Sequence, residues 1–196
     1  MKQLIIGIIC VFLFSSFGLG QERASEARQK LMKNASQPAV SIILTGSQKN
    51  VSHVVKEKIK AATGKKSKAI KGSNAYLGVY LKRIYSSTMD VYFTLDKMGS
   101  KEVPQTRVNL FLSTGNENFM DSGKYPEVIE NAKTFLEELP REVKIYELEL
   151  AIADQQKTID KTVKDYERMG RDSVNLEIQR VETLQAIDQN KLDREN

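Results

Sequence analysis

One cysteine, one histidine and no tryptophan occur in 196 residues, and those scarcities exclude more chemistry than the common residues suggest. Cys10 stands inside Leu4 to Phe17, a stretch without a charge that follows Met1-Lys2 and leads to Gly18-Leu19-Gly20. A basic start, an apolar run and small residues before a polar continuation form a secretory signal peptide, with cleavage expected after Gly20. Cys10 follows Ile8-Ile9 rather than a small residue at the cleavage point, so it is not a lipid-attachment cysteine. A chain starting at Gln21 then has no thiol, which excludes disulfides, thiolate metal sites and cysteine nucleophiles. The leader's apolar run is shorter than the ~20 residues that span a bilayer, and nothing later is as hydrophobic; no transmembrane segment is expected after cleavage.

Charge is unevenly placed. Gln21 to Lys101 carries 16 basic and 5 acidic residues, and Glu102 to Asn196 carries 13 and 20, so the halves differ in sign at net +11 and −7. Such a split suits either a polyanion-binding half or two halves that attract each other, within one chain or between copies.

Periodicity supplies the elements. Gln21 to Pro38 reads as a polar leader segment, partly disordered, with a short helical stretch around Ala24 to Met32. Ala39 to Thr45 is a β-branched run suited to a buried strand. Val51, Val54, Val55, Ile59 and Ala62 recur at helical spacing, with Asn50 as cap and Gly64 as terminator. Lys65 to Gly72 reads as a basic linker or edge strand.

From Ala75 the period becomes two. Ala75, Leu77, Val79 and Leu81, then Met89, Val91, Phe93 and Leu95, then Val108, Leu110 and Leu112 line one face of a three-strand antiparallel meander. Turns are expected at Ser86-Ser87 and near Met98-Gly99-Ser100. The opposite face carries Tyr76, Tyr80, Tyr92 and Phe111, more aromatic than a solvated face requires. Pro126 suits the first turn of a helix whose stripe is Val128, Ile129, Ala132, Phe135, Leu136 and Leu139.

Beyond Pro140 there is no proline and a single glycine, Gly170, so residues 141–196 read as a helical, coiled-coil-like tail. Ile145, Leu148, Ile152, Ile159, Tyr166, Met169 and Leu176 fall on heptad positions a and d, with Gln155 and Thr162 interrupting; after Gly170, Val174, Ile178 and Val181 shift frame. Two forms fit: one long helix with a stutter, or an antiparallel hairpin turning at Met169-Gly170-Arg171-Asp172. The hairpin is favoured because it buries its own seam.

Catalytic chemistry finds little footing. His53 has no second histidine or cysteine to work with and suits a surface position near the start of a helix. Asp90 and Asp96 lie on one strand and keep its polar face wet. Asn116, Glu117, Asn118 and Asp121 form an acidic loop without the ligand spacing of a calcium site. No cofactor or metal is expected, and the chain is not read as an enzyme. Two surfaces remain. Lys56, Lys60, Lys65, Lys66, Lys68, Lys71, Lys82 and Arg83, with Lys58 among them, form a basic cluster suited to an anionic surface polymer, anionic lipid or lipopolysaccharide. Arginine is scarce there and no nucleic-acid signature accompanies it, so no nucleic acid is expected. The helix-association seam Ile145, Leu148, Ile152, Ile159, Tyr166 and Met169 suits self-association or a protein partner.

The leader ending at Gly20-Gln21, the strand and helix that follow, Val91-Tyr92-Phe93-Thr94-Leu95, Val108-Asn109-Leu110-Phe111-Leu112, the Tyr125 to Leu139 helix and the charged helical tail together resemble a family of small, uncharacterised exported proteins from bacteria of the Bacteroidota. That resemblance implies a periplasmic or secreted α+β domain with a coiled-coil-like tail, and it transfers no active-site residues. The expected fold is a two-layer α+β domain over residues 39–140, order β-α-β-β-β-α, followed by the tail. The expected role is that of a noncatalytic envelope or secreted protein that associates through its C-terminal helices.

Overall fold

Six strands and two short helices precede a 57-residue helix. The computed structural model describes residues 23–32, 35–70, 72–116 and 118–195; the leader at residues 1–20 lies outside them, as do Lys71 and Glu117. The elements are β1 (Ser25–Met32), β2 (Ala35–Thr45), α1 (Gln48–Thr63), β3 (Lys68–Ile70), β4 (Ser73–Val79), β5 (Met89–Gly99), β6 (Pro104–Ser113), α2 (Pro126–Glu137) and α3 (Leu139–Glu195). The strands form one antiparallel sheet in the order β1-β2-β6-β5-β4-β3. The fold class is α+β, and the expected order persists inside it with two strands added at the edges. The chain divides into two units, Met1–Arg141 and Glu142–Asn196.

Periodicity passes over both added strands, β1 because it is mostly polar and β3 because three residues are too few to show a period. Ser25–Met32 was expected to be a leader with a helical stretch. It is instead an edge strand whose pairing, from Ser25 opposite Ser41 to Lys30 opposite Ser36, is dictated by β2. An edge strand pairs on one side only and tolerates polar side chains. Pro38 sits opposite Arg28, ahead of Val40 where the pairing of β2 with β6 begins, so its missing N–H interrupts no ladder on that side. Of the two readings for Lys65 to Gly72, the edge strand is right, as β3.

One face of the sheet carries Val40, Ile42, Leu44, Val91, Phe93, Val108, Leu110 and Leu112, all buried. Helix α1 adds Val51, Val54, Val55 and Ile59, and α2 adds Val128, Ile129, Ala132, Phe135 and Leu136. The α1 cap is Ser47, not Asn50: the Ser47 hydroxyl accepts from the Asn50 N–H at 3.2 Å. Gly64 ends the helix in the left-handed region at φ 68°, where its N–H reaches the Lys60 carbonyl.

Tyr76 lies on this face, contrary to the simple alternation of Ala75 to Leu81. The pairing of β4 with β5 slips between Tyr76 and Val79, and Gly78 takes φ 56° there. A one-residue bulge inverts the side-chain parity beyond it. Tyr76 therefore stacks on Phe93 at 6.4 Å, and its hydroxyl donates to the Lys56 carbonyl, while burial pushes the phenol pKa up. Leu77 and Tyr80 are the residues left exposed.

The other face is not a wet aromatic surface. Tyr92 and Phe111 are buried with Leu31, Ala39 and Ala75, and Ile70 and Phe119 pack against them. Phe119 arrives from the loop after β6, bridged to Ser113, with its ring 5.9 Å from that of Tyr92. The residues that close this cluster come from β1, β3 and that loop.

Candidate association surfaces

The basic cluster is broken up by the fold. Lys58 stands over the Phe135 ring at 4.9 Å and meets the Glu138 carboxylate at 2.8 Å. Arg83 closes on the same carboxylate with two of its guanidinium nitrogens. These two hydrogen-bonded cations hold the Glu138 carboxyl well below the usual range, at about 2, the Arg83 bond contributing most. Lys60 pairs with Glu57 at 2.9 Å. The Lys65 ammonium donates to the carbonyls of Leu77 and Gly78, at 3.0 and 2.8 Å, fastening the chain after α1 to the β4 bulge. Lys56 is half-buried on α1, Lys66, Lys68 and Lys82 are exposed, and Lys71 falls outside the described residues. Glu57 stands three residues before Lys60 on α1, a spacing the sequence shows, whereas nothing in the sequence marked Glu138, 80 residues from Lys58 and 55 from Arg83.

Carboxylates and amides singled out for other reasons also prove structural. Asp90 accepts from the Gly78 N–H at 2.7 Å and holds the bulge. Asn109, buried in β6, accepts from the Ser41 hydroxyl and donates to Thr94 and Asp96, a hydrogen-bonded row across three strands. In the acidic loop, the Asp121 carboxylate accepts from the Lys124 N–H, and Asn118 donates to the Thr114 hydroxyl. His53 lies exposed on α1.

The second surface is α3. A hairpin was favoured for this segment, but the helix runs through Gly170 without a turn from Leu139 to Glu195. At 1.5 Å per residue it is about 85 Å long. Pro140 sits within its first turn, where a missing N–H costs nothing. Ion pairs three residues apart, Asp165 with Arg168, Glu177 with Arg180 and Asp188 with Lys191, brace the helix from within.

Continuity changes the seam. Seven residues fall about 20° short of two full turns, so a strict heptad drifts around a straight helix. Residues eighteen apart complete five turns at 3.6 residues per turn and stand on one line. Ile152 and Gly170 define such a line, and at about 100° per residue Ile145, Leu148, Ile159, Val163, Tyr166, Val174, Val181 and Leu184 all lie within about 40° of it. The frame shift after Gly170 is therefore no break. Met169, from the expected seam, lies about 100° away, and Ile178 about 80°. Val163 belongs to the stripe and a heptad reading misses it; its spacing of eighteen from Ile145 and from Val181 was the available signal. The large apolar members of the stripe are exposed, from Ile145 at 45% to Tyr166 at 79%.

Among the described residues no helix is long and apolar enough to cross a membrane. Compared with known protein families, curated proteins and solved structures, the chain matches none.

Proposed function

We propose that this chain is an exported, noncatalytic interaction module that works by docking α3 against another helix. The single observation that carries the reading is the stripe itself: ten turns of helix between Ile145 and Val181 keep branched and aromatic side chains on one side, all exposed. Helices in proteins draw most of their stability from packing an apolar face, and on this one the apolar face is exposed. Export rests on the basic start, apolar run and Gly18-Leu19-Gly20 of the leader, and places the module in the periplasm or outside the cell.

An anionic polymer held by the lysine cluster is the weaker reading. Lys58, Lys60, Lys65 and Arg83 are already engaged by carboxylates and carbonyls of their own unit. The test of the module is the mass and shape of the chain from Gln21 onward, by light scattering with small-angle X-ray scattering. A dimer or higher oligomer with an extended tail is the expected result. A monomer whose tail folds back on itself would overturn the proposal.

A further inference from the structure

We infer that the occupant of the α3 stripe is a second copy of this chain, packed parallel and in register; the inference rests on the association reading above and names its partner. The argument comes from the two flanks of the stripe. Measured from the Ile152–Gly170 line at about 100° per residue, the band about 60–120° to one side holds Glu142, Glu149, Asp160, Glu167 and Glu182 against Lys164 and Arg171. The matching band on the other side holds Lys144, Arg180, Lys191 and Arg194, with no acid along its length. The rest of that band is neutral, as at Ala151, Thr162 and Ser173.

Two copies of one helix can meet along this stripe in two ways. A parallel pair brings the left flank of one helix against the right flank of the other, whereas an antiparallel pair brings like flanks together. With these flanks, the parallel pair sets the acid-rich band against the acid-free basic one. Glu142 then faces the level of Lys144, and Glu182 that of Arg180. The antiparallel pair sets acid-rich against acid-rich and basic against basic, and like charges across a helix seam are destabilising.

The stripe's spacing also fixes the kind of packing. Leu148, Ile159, Gly170 and Val181 recur every eleven residues, and so do Ile152, Val163 and Val174. An eleven-residue repeat, 3.67 residues per turn, is slightly longer than the natural period, so the partner helices stay nearly straight with a slight right-handed wind. A left-handed heptad coil would carry Val163 and Val174 away from the seam. Two acids that fall on the stripe, Glu177 and Asp188, each have a base one turn on, Arg180 at 3.4 Å and Lys191 at 3.8 Å. That pairing offsets the repulsion an in-register seam would otherwise place there.

Because Cys10 is the sole cysteine, a Cys10→Ala background allows single thiols to report the arrangement. The protein is expressed with its own leader, purified, and oxidised as the Ile152→Cys, Val181→Cys and Asp172→Cys variants, with the mass of each followed by light scattering before oxidation. In a parallel, in-register assembly the first two each link to themselves to give a covalent dimer. Asp172→Cys, on the back of the helix, does not, and its linked fraction falls at least tenfold below theirs. An oligomer in which Ile152→Cys and Val181→Cys link only when mixed is antiparallel; it overturns the inference and leaves the association reading standing. An oligomer in which neither thiol links overturns it too. A monomer with an extended tail removes the second copy alone, and a monomer with a folded-back tail removes both the inference and the reading beneath it.

Discussion

Glu138 ties two elements together electrostatically, because two cations, Lys58 of α1 and Arg83 of the loop after β4, end on its carboxylate. Its folded pKa, about 2, lies below the ordinary value of 4.5. The sign follows: a depressed carboxyl contributes stability that is fully present above the unfolded pKa and is lost as pH falls from about 4.5 towards 2. Because the side chain keeps 36% of its exposure, solvent screening reduces the full shift, and about 1–2 kcal/mol is the expected contribution. Glu138→Gln should lower the unfolding free energy at pH 7, read from the denaturant midpoint at constant slope, by that amount and flatten the loss between pH 5 and pH 2.5. A variant that tracks the parent in parallel across that range would show that the pair contributes nothing. The residual cost of the mutation at pH 2.5 separates packing from charge, since Lys58 also rests on Phe135.

Elements built on a full period were legible in the sequence, and those built on pairing were not. Glycine shows the difference at the turns. Gly99, at φ 70° at the end of β5, has the Val103 carbonyl close to where a Cβ would stand, whereas Gly64, at φ 68°, has open space there. Both substitutions by alanine suffer the left-handed backbone, at about 1 kcal/mol, but only Gly99→Ala must also push a backbone carbonyl aside. We expect Gly99→Ala to cost about 2–3 kcal/mol and Gly64→Ala about 1 kcal/mol, read as denaturant midpoints at constant slope; equal costs would mean that the turn opens freely. Helices α1 and α2 and strands β5 and β6 could be read ahead because each buries one side against a layer, so the burial is written as a period. Strand β1 has no such signature, since β2 imposes its conformation through backbone bonds. Tyr76 was placed on the wrong face because alternation assumes an unbroken ladder, and the bulge at Gly78 breaks it. Beyond the local Glu57–Lys60 pair, the lysine cluster was legible as composition only, since its other partners, Glu138 and the Leu77 and Gly78 carbonyls, are chosen by the fold. In the tail the apolar residues were visible, but their frame depended on whether Gly170 turns the chain; once the helix is continuous, two apparent seams become one.

At the scale of the whole molecule, two units with different sources of stability should lose structure differently. The first unit buries a core on both faces of its sheet, and its unfolding involves one chain, so its transition should not move with protein concentration. The α3 helix beyond Arg141 exposes its apolar stripe within a single chain, and it also carries Gly170 at mid-length, at a cost of about 1 kcal/mol relative to alanine. If α3 associates as proposed, part of its order draws on that association, and stability gained from association follows mass action. Each tenfold dilution should remove about 1.4 kcal/mol per mole of dimer from the tail and nothing from the sheet. Far-UV circular dichroism on heating, from hundreds to a few micromolar, should then show a helical transition that moves to lower temperature on dilution and a second that stays in place. Val163→Glu with Val174→Glu should erase the concentration dependence by placing like charges at the centre of the stripe, while leaving the sheet's transition within about 0.5 kcal/mol of the parent, as for surface changes remote from it. A helical transition that ignores both dilution and the double substitution would mean that α3 is held by its own intrahelical pairs, Asp165 with Arg168 and Glu177 with Arg180 among them, and that the stripe serves no partner.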